Sequence, residues 1–319
     1  MSSLDAEMRQ QNHSMAFSYM RLLGAELLML VLLACGDGGA GDSARGTLPP
    51  VFPLGPASNT NWDIDAGPVM LVSTGNSKDS AAVILPEITD STIAMVHGNT
   101  APITGLVFDL FGRGGKLESS RAVALSGSVD TTQECDAWPV AGVRATTAGW
   151  RVGFAKGHVQ PIELDSIEAM SSIDSAALAA SLAQTAATLP NASDPTFRGL
   201  PFRVRSAYTY RLDSVDVVIA DVVRSVNEEA NPRLEHLLII GERPAGTTSK
   251  YTVGYYSRTA GAEETTQATE VLTAVQIGPA RKQAVVVNIE YDEGRKLGLI
   301  ERVARGQWRS LWRSAYTDC

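Results

Sequence analysis

Residues 202–226 read FRVRSAYTYRLDSVDVVIADVVRSV. β-Branched and aromatic residues recur with a period of two on both sides of Asp213, a turn-forming residue. This pattern predicts two strands, 202–212 and 214–226, joined by a tight turn. Six further runs of the same kind follow, at 233–242, 250–259, 268–277, 283–291, 296–305 and 307–317. Asn231-Pro232, Asp292-Glu293-Gly294-Arg295 and Gly306 mark turns between them. Eight consecutive strands with mostly short links predict an eight-stranded antiparallel meander over residues 201–319. Eight strands are enough to close a small barrel. A strongly curved open sheet is the alternative.

Upstream of the meander the period changes. Residues 174–187 are Ala-rich, with Asp174 as a candidate N-cap and Pro190 beyond the end. Leu178, Leu182, Ala186 and Leu189 fall on one face, and a face of small residues lets a helix lie close to a sheet. The segment carries no basic residue, which argues against a membrane-active helix. We read 165–200 as a helical connector. Before it, 62–164 reads as an N-terminal antiparallel β domain. Its expected strands are 69–74, 81–85, 92–96, 105–111, 121–128, 150–155 and 159–164, with Gly112-Arg113-Gly114-Gly115 as a hairpin loop. The fold class expected is therefore mainly β: an N-terminal β domain, one Ala-rich helix and the C-terminal meander.

The chain has 319 residues, 44% of them apolar and 19% charged, which is the composition of a globular protein. Its formal charge is −8, and no Lys/Arg run has the density that phosphate tracking needs, so nucleic acid is not an expected partner.

The N-terminal 60 residues are of another kind. Met15 and Met20 are both plausible true starts; from Met20 an arginine is followed by a 13-residue apolar stretch, 22–34, interrupted by Glu26. That is too short for a bilayer span, which takes roughly 20 residues. Leu32-Leu33-Ala34-Cys35 resembles the lipobox of bacterial lipoproteins, although Leu33 is bulkier than the residue that class favours there. The resemblance implies that 1–34 is a signal peptide cut before Cys35, and that Cys35 carries lipid and attaches the chain to a membrane. Several acyl chains together give a stable anchor. Gly36 directly after the cysteine, with Asp37 one place later, leans toward the outer rather than the inner membrane of the cell envelope. Residues 35–61 are rich in Gly, Ala, Ser and Pro and read as a flexible tether, with an r.m.s. reach of roughly 25–30 Å.

Lipidation of Cys35 would leave Cys135 and Cys319, in a compartment where disulfides form. They are a disulfide candidate; two free thiols are the alternative. No CxxC or Cys/His cluster occurs, so no metal site is expected.

Catalytic signatures are missing. GxSxG, HExxH and the Walker spacing are all absent, and no cofactor motif is present. Asp63-Ile64-Asp65-Ala66-Gly67 opens like a calcium loop, but Thr74 stands where its twelfth-position acid belongs. His97, His158 and His236 are the histidines downstream of Cys35, each expected as a surface or satisfied core residue. In the last expected strand Trp308, Trp312 and Tyr316 share one parity. They either face the core or line a cavity for an apolar ligand. The function expected is a non-enzymatic binding or assembly module that holds an apolar ligand or a peptide in the C-terminal sheet or meets an envelope protein partner. The alternative is an envelope hydrolase whose site leaves no sequence motif.

Overall fold

The structure, a computed structural model, describes residues 70–73, 79–84, 105–123, 140–190, 194–226, 231–290, 294–314 and 317–318. Six short strands come first: β1 (Met70–Ser73), β2 (Ser80–Ile84), β3 (Val107–Gly112), β4 (Gly115–Val123), β5 (Val140–Val143) and β6 (Val152–Ala155). They close into an antiparallel barrel in the order β1-β2-β5-β4-β3-β6. The meander β3–β4–β5 is thus inserted between β2 and β6. Closure leaves no free edge to attract another strand. Alternate residues fill the inside, with Val83, Phe108, Leu110 and Val143 in one cluster against Trp150. The expected 112–115 loop is a two-residue hairpin, Gly112 pairing with Gly115, and Gly115 takes φ 105°, which favours glycine.

Downstream lie β7 (Val159–Ile162), β8 (Asp165–Ser166), helix α1 (Ser172–Thr188) and the eight expected strands. These are β9 (Arg203–Leu212), β10 (Val215–Val226), β11 (Arg233–Pro244), β12 (Thr252–Ala262), β13 (Ala268–Ile277), β14 (Lys282–Glu290), β15 (Gly294–Ala304) and β16 (Gln307–Arg313). All pair antiparallel with their neighbours, as the meander predicts, but they divide between two sheets. One sheet has the order β12-β11-β10-β9-β8, the other β16-β15-β14-β13-β7, and β17 (Thr317–Asp318) pairs with β15. The chain crosses from one sheet to the other between β12 and β13.

The packing explains the division. The outer barrel wall, with Val72, Ile84, Val152 and Phe154, lies on one face of the β13–β15 sheet through Leu272, Val275, Val286 and Leu299. The other face of that sheet meets the β9–β11 sheet through Val271, Val285, Val287, Leu212, Val217, Ile219 and Ile240. The far face of the β9–β11 sheet is covered by α1 through Val218, Ala220, Leu237, Ile239, Leu182 and Ala186. Central strands are buried on both faces, so β10 runs as VDVVIADVV, a nearly continuous apolar stretch. Layer stacks on layer: barrel, sheet, sheet, helix.

Helix α1 begins earlier than its sequence suggests. Ser171, not Asp174, is the N-cap: its Oγ accepts from the Asp174 N–H at 3.2 Å, and the Asp174 carboxylate in turn accepts from that hydroxyl at 2.7 Å. A hydroxyl three residues before an acid satisfies an orphan amide and places negative charge at the positive helix end. Ser171→Ala is expected to cost about 1 kcal/mol, read as a lower urea midpoint with unchanged slope.

Candidate functional site

The residues singled out by sequence are dispersed. Cys35, Cys135, Cys319 and Tyr316 lie outside the described residues, as do His97 and the Asp63–Gly67 segment. Trp312 pairs with Leu299 in β16, and its side chain is outside the described set. Trp308 is a core residue, 6% exposed, between the two sheets. Its indole N–H donates to Glu242 Oε1 at 2.8 Å.

Glu242 collects three further donors. Arg302 grips it side-on, Nε to Oε1 at 2.7 Å and Nη2 to Oε2 at 2.9 Å, and the Gly306 N–H reaches Oε2 at 2.9 Å. Burial pushes the Glu242 carboxyl up, but the bonds from Arg302, Gly306 and Trp308 outweigh it and leave the group below its ordinary value. The Arg302 guanidinium is raised in return, chiefly by its bonds to Glu242. Burial, reinforced by the Glu242 charge, pushes the Tyr210 phenol far above its usual range. This centre ties β11 to the β15–β16 hairpin. Its acceptors are saturated, so it is structural.

At the opposite end of the same inner face, His236 Nδ1 lies 3.4 Å from Asp221 Oδ1, and Arg205 Nη1 is 3.6 Å from Asp221 Oδ2. On the helix side, Glu235 is shared by Arg224 and Arg258, and the Phe202 ring stacks under Arg224 at 4.6 Å. His158 sits in the turn between β6 and β7.

The recess lies under α1. Across the ends of β9, β10 and β11, Arg211, Asp216 and Arg243 are register partners. Arg211 Nε donates to Asp216 Oδ1 at 2.9 Å; Arg243 Nε lies 3.5 Å from Oδ2, which also accepts from the Gly246 N–H at 3.3 Å. Burial raises the Asp216 carboxyl, and the Arg211 and Gly246 bonds with the two arginine charges bring it below its ordinary value. Arg243 stacks on Tyr251 at 4.4 Å, and burial raises that phenol. Tyr251 lies over Gly241, where an added Cβ would stand 3.2 Å from the Tyr251 Cβ. From this floor a cleft of about 820 Å³ opens between α1, β8, β9 and the 247–251 loop. Asp165, Ser171, Asp174 and Ser181 line one side; Thr247, Thr248, Ser249 and Lys250 line the other. Its volume is that of a small-ligand site.

The sequence carries one signal of this cleft, Asp216, and three like it elsewhere in the sheets. Asp216, Asp221, Glu235 and Glu242 interrupt apolar strands, and each is buried. A charge inside a strand covered on both faces must find a partner, which marks it before the partner is known. Among the described residues no group of three or more His, Cys, Asp or Glu could hold a metal ion, and no helix is long and apolar enough to cross a membrane. Comparison with protein-family models, with curated proteins and with solved structures finds no match.

Proposed function

We propose that the chain is a lipid-anchored protein of the bacterial cell envelope acting as a non-enzymatic binding or assembly module. The observation that carries this reading is the ordered run at 22–41: apolar stretch, Ala34, Cys35, then a glycine-rich tether. Lipid on Cys35 holds the protein at a membrane, the outer one by the residues after the cysteine, and the tether keeps the folded layers clear of the headgroups. The space between the two sheets is filled by side chains, Trp308 among them. A peptide-sized occupant therefore belongs in the cleft under α1.

The hydrolase reading draws on the Asp221–His236 pair. It needs a nucleophilic hydroxyl within reach of the imidazole, and among the described residues Asp221 is the one side chain hydrogen-bonded to His236. Binding is the better account of these groups.

Cys35→Ser is expected to move the protein from the membrane pellet to the soluble fraction and to abolish incorporation of labelled palmitate. The anchor reading fails with the protein still pelleting and still labelled. Native mass spectrometry of the purified protein tests the binding role: a bound mass supports it, and a ligand-free, partner-free spectrum counts against it.

A further inference from the structure

We propose that the cleft under α1 takes a short zwitterionic peptide, three or four residues long, with its ammonium end over Asp165 and Asp174 and its carboxylate end over Arg243 and Lys250. This rests on the binding reading above and names the ligand class of that site.

The charges lining the cleft are sorted by position. Asp165 sits on β8, at the sheet edge, and Asp174 in the first turn of α1. Two cations sit on the far side, Arg243 near the end of β11 and Lys250 in the loop before β12, whereas Arg211, on β9 next to β8, is bonded to Asp216. Lys250 Nζ bonds Gln184 Oε1 at 3.3 Å, which places it beside the later part of the helix, away from Asp174. Asp216 neutralises Arg211, its hydrogen-bonded partner, which leaves formal charges of about −2 and +2 at the two ends. Asp165 is in register with Thr209, Thr209 with Val218, and Val218 with Gly241, two residues before Arg243. From β8 to β11 is three strand spacings, about 14 Å. An extended peptide rises roughly 3.4 Å per residue, so about four residues bridge the two ends.

The basic end is set in place before a ligand arrives. Arg243 is held by Tyr251 beneath it and by Asp216 beside it. A guanidinium fixed in this way loses little entropy on gripping a carboxylate. Between the ends, Thr209 and Ser181 line the span where peptide amides would lie. Other ligand classes fit less well. A polyanion would meet Asp165 and Asp174, an apolar molecule would strip water from charges at both ends, and a neutral sugar would leave both ends unmatched.

Calorimetric titration of the full chain with tetra-alanine bearing free termini tests the proposal, alongside its N-acetylated, C-amidated and doubly blocked forms. Saturable binding of the free form is expected, weakened about tenfold by either block. Asp165→Asn with Asp174→Asn should erase the penalty for acetylation and leave that for amidation. Lys250→Met, the replacement of a loop side chain with one hydrogen bond to α1, should do the reverse. Cooperative thermal unfolding, with midpoints lowered by no more than the few degrees that loss of the Asp174 charge at the start of α1 accounts for, establishes that these variants are folded. Equal affinity for all four peptides overturns the zwitterion and leaves a peptide-binding module standing. Absence of binding to every form at millimolar concentration overturns the peptide as well. The membrane anchor is decided separately by the Cys35→Ser fractionation.

Discussion

Glu242→Gln is expected to lower the free energy of unfolding by about 3 kcal/mol, the low end of the cost of breaking a buried ion pair, because Glu242 is buried while Arg302 is partly exposed. Glu242 is 4% exposed and accepts all four of its hydrogen bonds from donors. An amide keeps the shape but offers one acceptor oxygen; its –NH₂ would be turned toward either the Arg302 Nε and Trp308 pair or the Arg302 Nη2 and Gly306 pair, donor against donor. The Arg302 charge would also lose its counter-ion. Urea unfolding of both proteins gives the difference directly, and a loss under 1 kcal/mol would mean the centre contributes nothing special. Glu242→Leu with Arg302→Met should recover only part of the loss, because Gly306 N–H and the Trp308 indole still lack an acceptor.

The same centre sets an acid limit. The folded carboxyl titrates below its ordinary value of 4.5. Its contribution is complete above that ordinary value and is lost as the pH falls through the lower, folded one. The stability gap between wild type and Glu242→Gln should therefore narrow on going from pH 7 to pH 3. A gap independent of pH would contradict the assignment.

Gly254→Ala is expected to cost about 3 kcal/mol, the upper part of the range for overpacking. Gly254 lies on β12 where a Cβ would stand 2.7 Å from the Gly306 carbonyl oxygen and 2.9 Å from both its carbon and Trp308 Cδ1. None of these atoms is the loose end of a flexible chain. Gly306 and Trp308 are both pinned to Glu242, so the hairpin gives way only by breaking that centre. It follows that the two substitutions should not add: Gly254→Ala should cost less in the Glu242→Gln background. Strict additivity in urea unfolding would show that the hairpin moves independently of the carboxylate.

Much of this arrangement was legible from residues alone. The strand expected at 268–277 coincides with β13, and the strands around Asp213 match β9 and β10 closely, with Asp213 itself at φ 45° in the turn. The face of α1 predicted from Leu178, Leu182, Ala186 and Leu189 is the face that packs. β5 was missed because VAGV is four residues with no alternation to read. β4 was expected six residues late. Its first half, KLESSR, is polar and largely exposed, and it is held as a strand by pairing with β3 rather than by its own composition.

Beyond the buried Asp216, the cleft was not legible, and the reason is general. Its groups come from β8, α1, β9, β10, β11 and the 247–251 loop, stretches separated by up to 86 positions between Asp165 and Tyr251. No local pattern links them.

By itself the sequence determined the period-two strands, the tight turns at Asp213 and Gly112–Gly115, the Ala-rich helix and its close-packing face, because these follow from backbone geometry and the alternation of neighbouring side chains. The tertiary structure alone decided that eight consecutive strands form two stacked sheets rather than one closed ring. That choice depends on what covers each outer face, the barrel on one side and α1 on the other. It also decided that Trp308 belongs to a buried carboxylate and that charges of opposite sign gather at the two ends of one cleft. Such partners are selected by burial across long separations, where an unpaired charge costs several kcal/mol, and burial is a property of the assembled layers.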